Sequence, residues 1–481
     1  MFLKFLQYFA LILIDLTAFY LALLLAILVR AEFLVRIVMG QPEANTWIYW
    51  HHLDFWWLAV AFIAAIQYEG LYAKRVPYWE EARLLLKAAL LAFLIILAVI
   101  SLGKMSSTVS RLLLTITWLF SMVTFPAIRF YGKKLLHRIG LWNERVLILG
   151  AGDAGLETLR GLERENNLGY QVVGFLDDDP EKAGQLIRTD YGDYKVFGPI
   201  RHFRKFVSMV NVSTIIVAIP TAASSRIAQI ASEVQRSVRN VLIVPDLKGV
   251  ALLNTELRSL FMEQLFLLNI RNNLKSLSAR VVKRTFDLIV SGIALAVLSP
   301  IYLATTIAVR MTSAGGAFFM QYRPGKNGKV IRIYKFRTMY TDGDRRLAEH
   351  LEKDPAAAAE WKEFRKLKRH DPRLTPIGGF LRKWSLDELP QIYSVFKGEM
   401  SMVGPRPYMV SEIKDFEDVS EIIFMAKPGI CGLWQSSGRN NLSFDQRVKL
   451  ESWYVLNWSL WLDIILMAKT CVAVCRAEGA Y

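Results

Sequence analysis

The chain has 481 residues, of which 53% are hydrophobic and 21% charged, and its formal net charge at pH 7 is +16. This length predicts two to four domains, and the mixture of apolar and charged residues excludes both a purely soluble protein and a compact bundle of membrane spans. The positive charge predicts an anionic partner, and the long apolar segments favour anionic membrane lipids and phosphate substrates over nucleic acid.

Four apolar segments open the sequence, and each is long enough to cross a bilayer as a helix. They are Phe2–Val29, Trp47–Gln67, Leu84–Leu102 and Leu112–Ile128. Basic residues concentrate in the second connecting loop, as at Lys74 and Arg75, and after the fourth segment, as at Lys133 and Lys134. The positive-inside rule therefore places both ends of this bundle in the cytoplasm. We expect a four-helix transmembrane bundle over residues 1–140.

From Arg145 onward, short β-branched runs alternate with helical stretches, which is typical of a parallel sheet with crossover helices. The predicted strands and helices are Val146–Leu149, Leu156–Glu165, Val172–Phe175, Thr214–Ala218, Ile227–Ser237 and Val241–Val244. This pattern predicts a cytoplasmic, Rossmann-like α/β domain over residues 141–255, followed by a linker over 256–279.

A glycine-rich turn, Gly150-Ala-Gly-Asp-Ala-Gly155, directly follows the first predicted strand, and Asp177 follows the second. A strand, a glycine turn, a helix N-terminus and a later acid are typical of dinucleotide sites, which makes Gly150, Gly152 and Gly155 candidate cofactor-binding residues. In the alternative interpretation these glycines serve only the turn and helix packing.

A nearly uncharged run, Phe286–Val309, opens the C-terminal region and contains Ser299-Pro300. Proline removes a backbone donor and disfavours helix at the preceding residue, so one interpretation is a kinked spanning helix. Basic residues flank both ends, at Arg284 and Arg310, and a crossing would put one group outside. We therefore predict a helix–break–helix over residues 286–309 that enters the cytoplasmic leaflet and returns.

Two adjacent acids, Asp387 and Glu388, lie at the predicted start of a helix. In one interpretation Ser385 and Glu388 form a capping box. In the other the acids form a functional pair, because a helix start stabilises carboxylates and bound anions. Pro390 indicates that this start is distorted.

Basic residues beside Gly/Pro turns surround this acidic pair, and their guanidinium and ammonium groups can bind phosphate oxygens. The candidate phosphate-binding residues are Lys335, Arg337, Arg373, Arg382 and Arg406. Together with two acids they predict a polyphosphate site that uses Mg²⁺ held by Asp387 and Glu388.

These segments resemble the polyprenyl-phosphate sugar-1-phosphate transferases, specifically the large bacterial members, over residues 280–481. The resemblance is carried by Arg323-Pro-Gly325, Lys335-Phe-Arg-Thr-Met339, Asp371-Pro-Arg-Leu-Thr375, Ser385-Leu-Asp-Glu-Leu-Pro-Gln391, Lys397-Gly-Glu-Met-Ser401, Val403-Gly-Pro-Arg-Pro407, Lys427-Pro-Gly429 and Gly432-Leu-Trp-Gln435. It implies a monotopic α+β catalytic domain whose re-entrant helix breaks at Ser299-Pro300.

The resemblance also implies a reaction. A hexose 1-phosphate, with galactose favoured, passes from a UDP-sugar to undecaprenyl phosphate and UMP is released, which begins the synthesis of an O-antigen, exopolysaccharide or capsule. Asp387 would attack the phosphorus next to the sugar, and Glu388 would assist in metal binding or positioning. We also expect a homodimer. The alternatives are an NAD-dependent nucleotide-sugar oxidoreductase or dehydratase working through the glycine loop, and a non-catalytic membrane scaffold.

Overall fold

The computed structural model describes residues 2–30, 56–104, 109–247, 253, 255–260, 265–355, 357, 358, 361, 367, 371–436 and 443–475. The chain divides into two compact units, Met1–Leu247 and Lys248–Tyr481.

The first unit begins with the apolar helices α1 (Phe2–Leu28), α2 (Trp56–Tyr68), α3 (Tyr78–Leu102) and α4 (Arg111–Arg138). Helices α1, α3 and α4 are long and apolar enough to cross a membrane, and α2 is shorter. The prediction of four apolar helices is confirmed, although residues 47–55 of the second predicted segment lie outside the described residues.

Charged side chains are buried where these helices pack together. The Glu81 carboxylate on α3 lies 3.0 Å from Arg129 and 2.5 Å from Lys133 on α4, and all three residues are almost fully buried. Lys133 was predicted to lie in a segment after the fourth span. The structure corrects this, because α4 continues to Arg138 and includes Lys133. The Glu81 carboxylate compensates the positive charge of the buried Lys133.

The α/β part of the first unit contains a four-stranded sheet in the order β2-β1-β5-β6, with all neighbours parallel. The elements in chain order are β1 (Glu144–Leu149), α5 (Asp153–Arg164), β2 (Tyr170–Leu176), β3 (Leu186–Thr189), β4 (Gly192–Lys195), α6 (Phe203–Val210), β5 (Thr214–Val217), α7 (Ser224–Gln235) and β6 (Asn240–Ile243). The predicted parallel sheet is confirmed, because its β-branched runs fill a core on both faces. The β3–β4 hairpin and α6 were not predicted.

The second unit opens with the antiparallel pair β7 (Thr255–Leu260) and β8 (Leu265–Ile270), followed by α8 (Leu277–Thr312). The predicted interruption at Ser299-Pro300 is wrong, since α8 runs through both residues. Pro300 cannot donate to the carbonyl of Ala296, four residues earlier. The Ser299 hydroxyl donates to that carbonyl instead, at 2.8 Å, so the acceptor is satisfied and the helix continues.

Short elements complete the second unit around two small sheets. They are β9 (Phe318–Pro324), β10 (Val330–Phe336), α9 (Gly343–Lys353), α10 (Gly378–Lys383), α11 (Gln391–Lys397), β11 (Ser401–Val403), α12 (Glu417–Ile423), β12 (Gly429–Cys431), α13 (Leu433–Ser436), α14 (Phe444–Leu456) and α15 (Leu460–Cys475). Strands β9 and β10 form an antiparallel hairpin, and β11 pairs with β12 in parallel.

Candidate active site

The two adjacent acids lie in a tight turn between α10 and α11. Ser385 has a left-handed backbone (φ 55°), Leu386–Glu388 form one 3-10 turn, and Pro390 directly precedes α11. The Ser385 side chain makes no capping hydrogen bond, so the capping-box interpretation is wrong. Leu386 packs into an apolar cluster with buried neighbours such as Phe336. This packing fixes the turn that carries the acids.

The Glu388 carboxylate is bound by a lysine on the neighbouring hairpin. Lys335 on β10 donates from Nζ to Oε1 of Glu388 at 2.6 Å, and both side chains are about one-third exposed (32% and 33%). The structure therefore brings together a predicted phosphate-binding residue and a predicted metal ligand at the surface, where substrate can reach both.

Asp387 is held in an environment that opposes its negative charge. Burial raises the pKa of this carboxyl above its usual value, and the adjacent Glu388 charge raises it further, while Lys335 and Arg382 partly offset both effects. A carboxyl whose pKa is raised by burial and by a neighbouring charge is a candidate for chemistry as well as for structural support.

Arg382 and Arg406 approach the acids from two different elements. Arg382 on α10 donates from Nε to the Thr338 hydroxyl at 3.0 Å, and its charge interacts with that of Asp387. Arg406 follows β11, and its guanidinium carbon lies 5.5 Å from the centroid of the Trp434 ring. Arg406 lines a cleft together with Lys335 and Glu388.

We call this feature the donor cleft, after the nucleotide-sugar donor that the sequence resemblance implies. Its other lining residues are Gln321, Arg323, Ile333, Gln391, Pro407, Gly429, Ile430, Trp434 and Gln435. Arg323 belongs to a basic segment, Arg323-Pro-Gly325, that carries the family resemblance, although it was not among the candidate phosphate-binding residues. Gln391 and Gln435 are uncharged and no sequence pattern marks them, so only the fold shows that they lie at the cleft.

Two predicted phosphate-binding arginines are engaged elsewhere by protein groups. Arg337 donates to the backbone oxygens of Ala314 and Ser313, at 2.8 and 2.9 Å, just after the C-terminus of α8. Arg373 forms a two-pronged contact with Asp371, at 2.8 and 2.7 Å. Neither lines the donor cleft, and we omit both from the proposed site.

Glu451 on α14 is a buried acid that the sequence analysis missed. Its Oε1 accepts a hydrogen bond from the backbone N–H of Arg406 at 2.9 Å, which supports the turn that carries Arg406. Burial raises the pKa of Glu451 to about 7, although the backbone hydrogen bond from Arg406 and the charges of Arg406 and Arg447 oppose this shift. No motif marks this residue, because it lies far along the chain inside an amphipathic helix.

The glycine turn belongs to the first unit and adopts the predicted strand–turn–helix arrangement. Gly150 has φ 104°, and a side chain at Gly155 would collide with the Gly150 carbonyl. The Asp177 carboxylate accepts hydrogen bonds from the backbone N–H groups of Ala151 (2.7 Å) and Asp179 (2.9 Å). The acid expected to bind a ribose is therefore used by the protein itself, which favours the structural role of Gly150, Gly152 and Gly155.

Asp387 and Glu388 can hold a magnesium ion only if substrate phosphates and water complete its coordination shell. Within the described residues, no group of three or more His, Cys, Asp or Glu side chains could form a metal cage. Mg²⁺ commonly uses one or two carboxylates and completes its shell with substrate phosphates and water. Asp387 and Glu388 match that donor set, and the raised pKa of Asp387 indicates negative charge that a cation would stabilise.

Comparisons with known proteins give matches along almost the whole chain. The bacterial sugar transferase family matches residues 278–477, and the CoA-binding domain family matches residues 67–245. A UDP-galactose-lipid carrier transferase of Erwinia amylovora is 36% identical over 480 residues, which cover 97% of this chain and 96% of that protein.

Two further relatives match different portions of the chain. An undecaprenyl-phosphate galactose phosphotransferase of Salmonella typhimurium is 36% identical over 411 residues, or 85% of this chain and 84% of that protein. The exopolysaccharide production protein ExoY of Sinorhizobium fredii is 44% identical over 201 residues, which are 42% of this chain but 88% of that protein. The shorter relative therefore consists almost entirely of the part that it shares with this chain.

Proposed function

The chain belongs to the polyprenyl-phosphate sugar-1-phosphate transferase family, and from this premise we propose that it transfers a hexose 1-phosphate from a UDP-sugar to undecaprenyl phosphate. The products are undecaprenyl-diphosphate-sugar and UMP, and the step begins the synthesis of a surface polysaccharide. The names of two relatives support galactose as the hexose.

The contact between Lys335 and Glu388 at the edge of the donor cleft carries this proposal. Phosphoryl transfer between two anions requires charge neutralisation and alignment. Arg323, Lys335 and Arg406 line the cleft and provide positive charge. Asp387 and Glu388 provide the two carboxylates that the proposed mechanism uses.

Asp387 is the proposed nucleophile of a two-step mechanism. One carboxylate oxygen forms a bond to the phosphorus next to the sugar, and the bond from that phosphorus to the UMP oxygen breaks. A phosphate oxygen of undecaprenyl phosphate then attacks the same phosphorus and releases the carboxylate. Covalent catalysis divides one transfer between two anions into two steps at a single neutralised site.

The side chains around Asp387 tune its charge for this role. Lys335 and Arg382 lower the pKa of Asp387 and so favour its ionised form, against burial and Glu388, which raise the pKa. Bound Mg²⁺, held by Asp387 and Glu388, would neutralise charge that develops on the transferred phosphate.

The contacts of α8 support a re-entrant helix and a monotopic catalytic domain. Near its N-terminus, Lys283 donates to Val403 O and to Asp463, at 3.0 and 2.7 Å. Near its C-terminal half, the Tyr302 ring lies 5.1 Å from that of Phe336. Only 11% of the most apolar stretch of α8 is buried. Because both ends pack on the same charged unit, we propose that α8 dips into one leaflet and returns, bent rather than broken at Ser299-Pro300.

The chain is a membrane protein, and we propose that it lies in the bacterial inner membrane with the catalytic unit facing the cytoplasm. Within the first unit, Arg75 in the loop between α2 and α3 forms a 2.7 Å ion pair with Glu144 at the start of β1. This loop therefore lies on the same side of the bundle as the α/β part. The basic residues of that loop support the cytoplasmic side and contact with anionic lipids.

We propose a division into a bundle (1–140), an α/β domain (141–255) and a transferase domain (280–481), and the predicted linker (256–279) contains most of the β7–β8 hairpin and the start of α8. The compact units divide at residue 247, close to the proposed end of the α/β domain. A structural or assembly role for the α/β domain, including formation of a homodimer, fits the engagement of Asp177 by its own glycine turn.

A UMP-release assay tests the proposed transfer. The purified protein in detergent is incubated with Mg²⁺, undecaprenyl phosphate and a panel of UDP-sugars, and we expect UDP-galactose to give the fastest release. Asp387→Asn should abolish release while the protein folds normally. Asp418→Asn, which changes an exposed acid of the same unit, should leave the rate unchanged. Full turnover by Asp387→Asn would remove this residue from the mechanism.

An exchange experiment isolates the covalent step. Without undecaprenyl phosphate, the enzyme should exchange labelled UMP into the UDP-sugar, because the first step is reversible and needs no acceptor. A direct, single-step transfer would give no exchange under these conditions. Turnover with acceptor but no exchange would therefore refute the intermediate and leave the overall reaction intact.

A further inference from the structure

One strand of the β9–β10 hairpin changes from apolar to cationic along the face that borders the donor cleft. Gln321 and Arg323 line the cleft, as do Ile333 and Lys335 on the partner strand. Phe319 pairs directly with Lys335 in the antiparallel register, so the two side chains share that face. The cleft face of β9 therefore presents Phe319, Gln321 and Arg323 in sequence.

Phe319 is exposed although it is a large apolar residue beside a charged cleft. Its side chain is 49% exposed. Its neighbour Phe318 is 43% exposed, but it points to the other face and packs against Tyr302 and Phe336, with ring centroids 5.8 and 5.4 Å away. Among the described residues, no aromatic ring packs on Phe319 in this way. An exposed aromatic at the mouth of a polar cleft indicates an apolar ligand group.

The position of Phe319 along the hairpin indicates which ligand group that is. Phe319 lies at the end of β9 that follows α8, and Tyr302 of α8 packs against this same end. The C-terminal half of α8 exposes Leu303, Ile307 and Met311, which recur every four residues and form one apolar stripe. Arg323 lies at the opposite end of the strand, beside the turn. Along β9 the cleft face therefore runs from the apolar Phe319 beside α8, opposite Lys335, to Arg323 beside the turn.

We propose that Phe319 binds the first isoprene units of the polyprenyl phosphate acceptor and so places its phosphate beside Lys335 and Glu388. This inference rests on the proposed function, because it assigns the acceptor of the same site. The uracil or hexose ring of a UDP-sugar could stack on Phe319, but only a polyprenyl chain continues from its phosphate as a long hydrocarbon that would also cover the apolar stripe of α8.

The test compares variants on the two faces of β9 in the full-length protein. Phe319→Asn removes the apolar contact and Phe319→Leu retains it. Tyr322→Asn is the matched control, since Tyr322 is an exposed aromatic (63%) on the opposite face, paired with Arg332. UMP release is measured against undecaprenyl phosphate at saturating UDP-sugar, and then against UDP-sugar at saturating acceptor.

For Phe319→Asn we expect the KM for undecaprenyl phosphate to rise about tenfold, from the loss of an apolar contact that covers part of one aromatic ring. The KM for the UDP-sugar, and acceptor-free UMP exchange, should stay within about twofold. Phe319→Leu and Tyr322→Asn should remain close to the wild type. If Phe319→Asn does not accumulate in membranes, Phe319→Ala carries the same expectation.

A soluble acceptor separates direct binding from general membrane attachment. With a ten-carbon prenyl phosphate in solution, the same ratio of KM values between wild type and Phe319→Asn should persist. A ratio of one with the soluble acceptor would show that Phe319 only attaches the protein to lipid, and would overturn the inference. An unchanged acceptor KM, or an equal effect of Tyr322→Asn, would do the same. Absence of UMP release by the wild type would instead refute the proposed function.

Discussion

Replacing Arg337 by methionine should destabilise the protein without weakening substrate binding. Arg337 is 7% exposed and donates three hydrogen bonds, at 2.8 Å to Ala314 O and at 2.9 Å to both the carbonyl and the hydroxyl of Ser313. Methionine fills a similar volume but donates nothing. The Ser313 hydroxyl can rotate to a new partner, whereas the two backbone carbonyls lose their donors.

The magnitude follows from those two carbonyls. Ser313 is half-buried and Ala314 is exposed, so water can replace part of what the carbonyls lose. At about 1 kcal/mol for each lost hydrogen bond, the free energy of unfolding should fall by about 2 kcal/mol. For a unit of this size, 1 kcal/mol corresponds to about 2–4 °C in Tm, so the expected decrease is roughly 4–8 °C. Because unfolding in detergent is irreversible, apparent Tm values are compared at one heating rate.

Replacing Lys335, two residues earlier, by methionine should have the opposite effect, with a large loss of activity and little change in Tm. Lys335 is one-third exposed and contacts Glu388, so its loss should change Tm by no more than about 2 °C. Its loss should nevertheless reduce kcat/KM at least about a hundredfold, as expected when a charge that stabilises a transition state is removed. Arg337→Met should keep kcat/KM within about threefold at temperatures well below its Tm. An unchanged Tm combined with a large loss of kcat/KM for Arg337→Met would refute this assignment.

Three other changes test the electrostatics and the topology. Because Arg382 lowers the pKa of Asp387, Arg382→Gln should move the acidic limb of the pH profile of kcat/KM to higher pH; a shift to lower pH would contradict the proposed nucleophile. Glu451 has a pKa raised from 4.5 to about 7 in the folded protein, so it costs stability as pH rises through that window, by up to about 3 kcal/mol. Glu451→Gln should therefore gain apparent Tm relative to the wild type between pH 5 and pH 8, and a constant difference would exclude this ionisation. Met311→Cys, at a residue that is 80% exposed, should react with impermeant thiol reagents only from the cytoplasmic side, in a chain without Cys431, Cys471 and Cys475; labelling from outside would favour a crossing helix.

The sequence allowed a correct prediction wherever a periodic pattern determined the element. The β-branched runs such as Val146–Leu149 predicted the parallel sheet, because strands that are buried on both faces are apolar along almost their whole length. The apolar segments predicted the helices of the bundle for a similar reason. In both cases a whole stretch of residues contributes to one signal, and single exceptions do not change it.

Individual side chains were harder to predict because their partners lie far away in the sequence. Lys335 and Arg337 are two residues apart, which would place them on the same face of a continued strand, but β10 ends at Phe336 and Arg337 reaches the end of α8 instead. Glu451 contacts the backbone of Arg406 across 45 residues of sequence. Ser299 replaces the missing donor of Pro300 through a local bond that the composition does not reveal.

The described contacts also explain how an acidic pair can be held at a fixed depth relative to lipid. Arg284 on α8 donates to Val395 O and Phe396 O, both at 2.7 Å, at the C-terminal end of α11. The same helix presents Asp287, whose Oδ1 accepts from the backbone N–H of Met402 at 3.0 Å. Helix α11 begins just after Asp387 and Glu388, so the apolar helix and the acidic turn are joined through one short, rigid element. If α8 lies in the leaflet as proposed, these polar contacts hold Asp387 where a soluble nucleotide sugar and a lipid phosphate can both reach it.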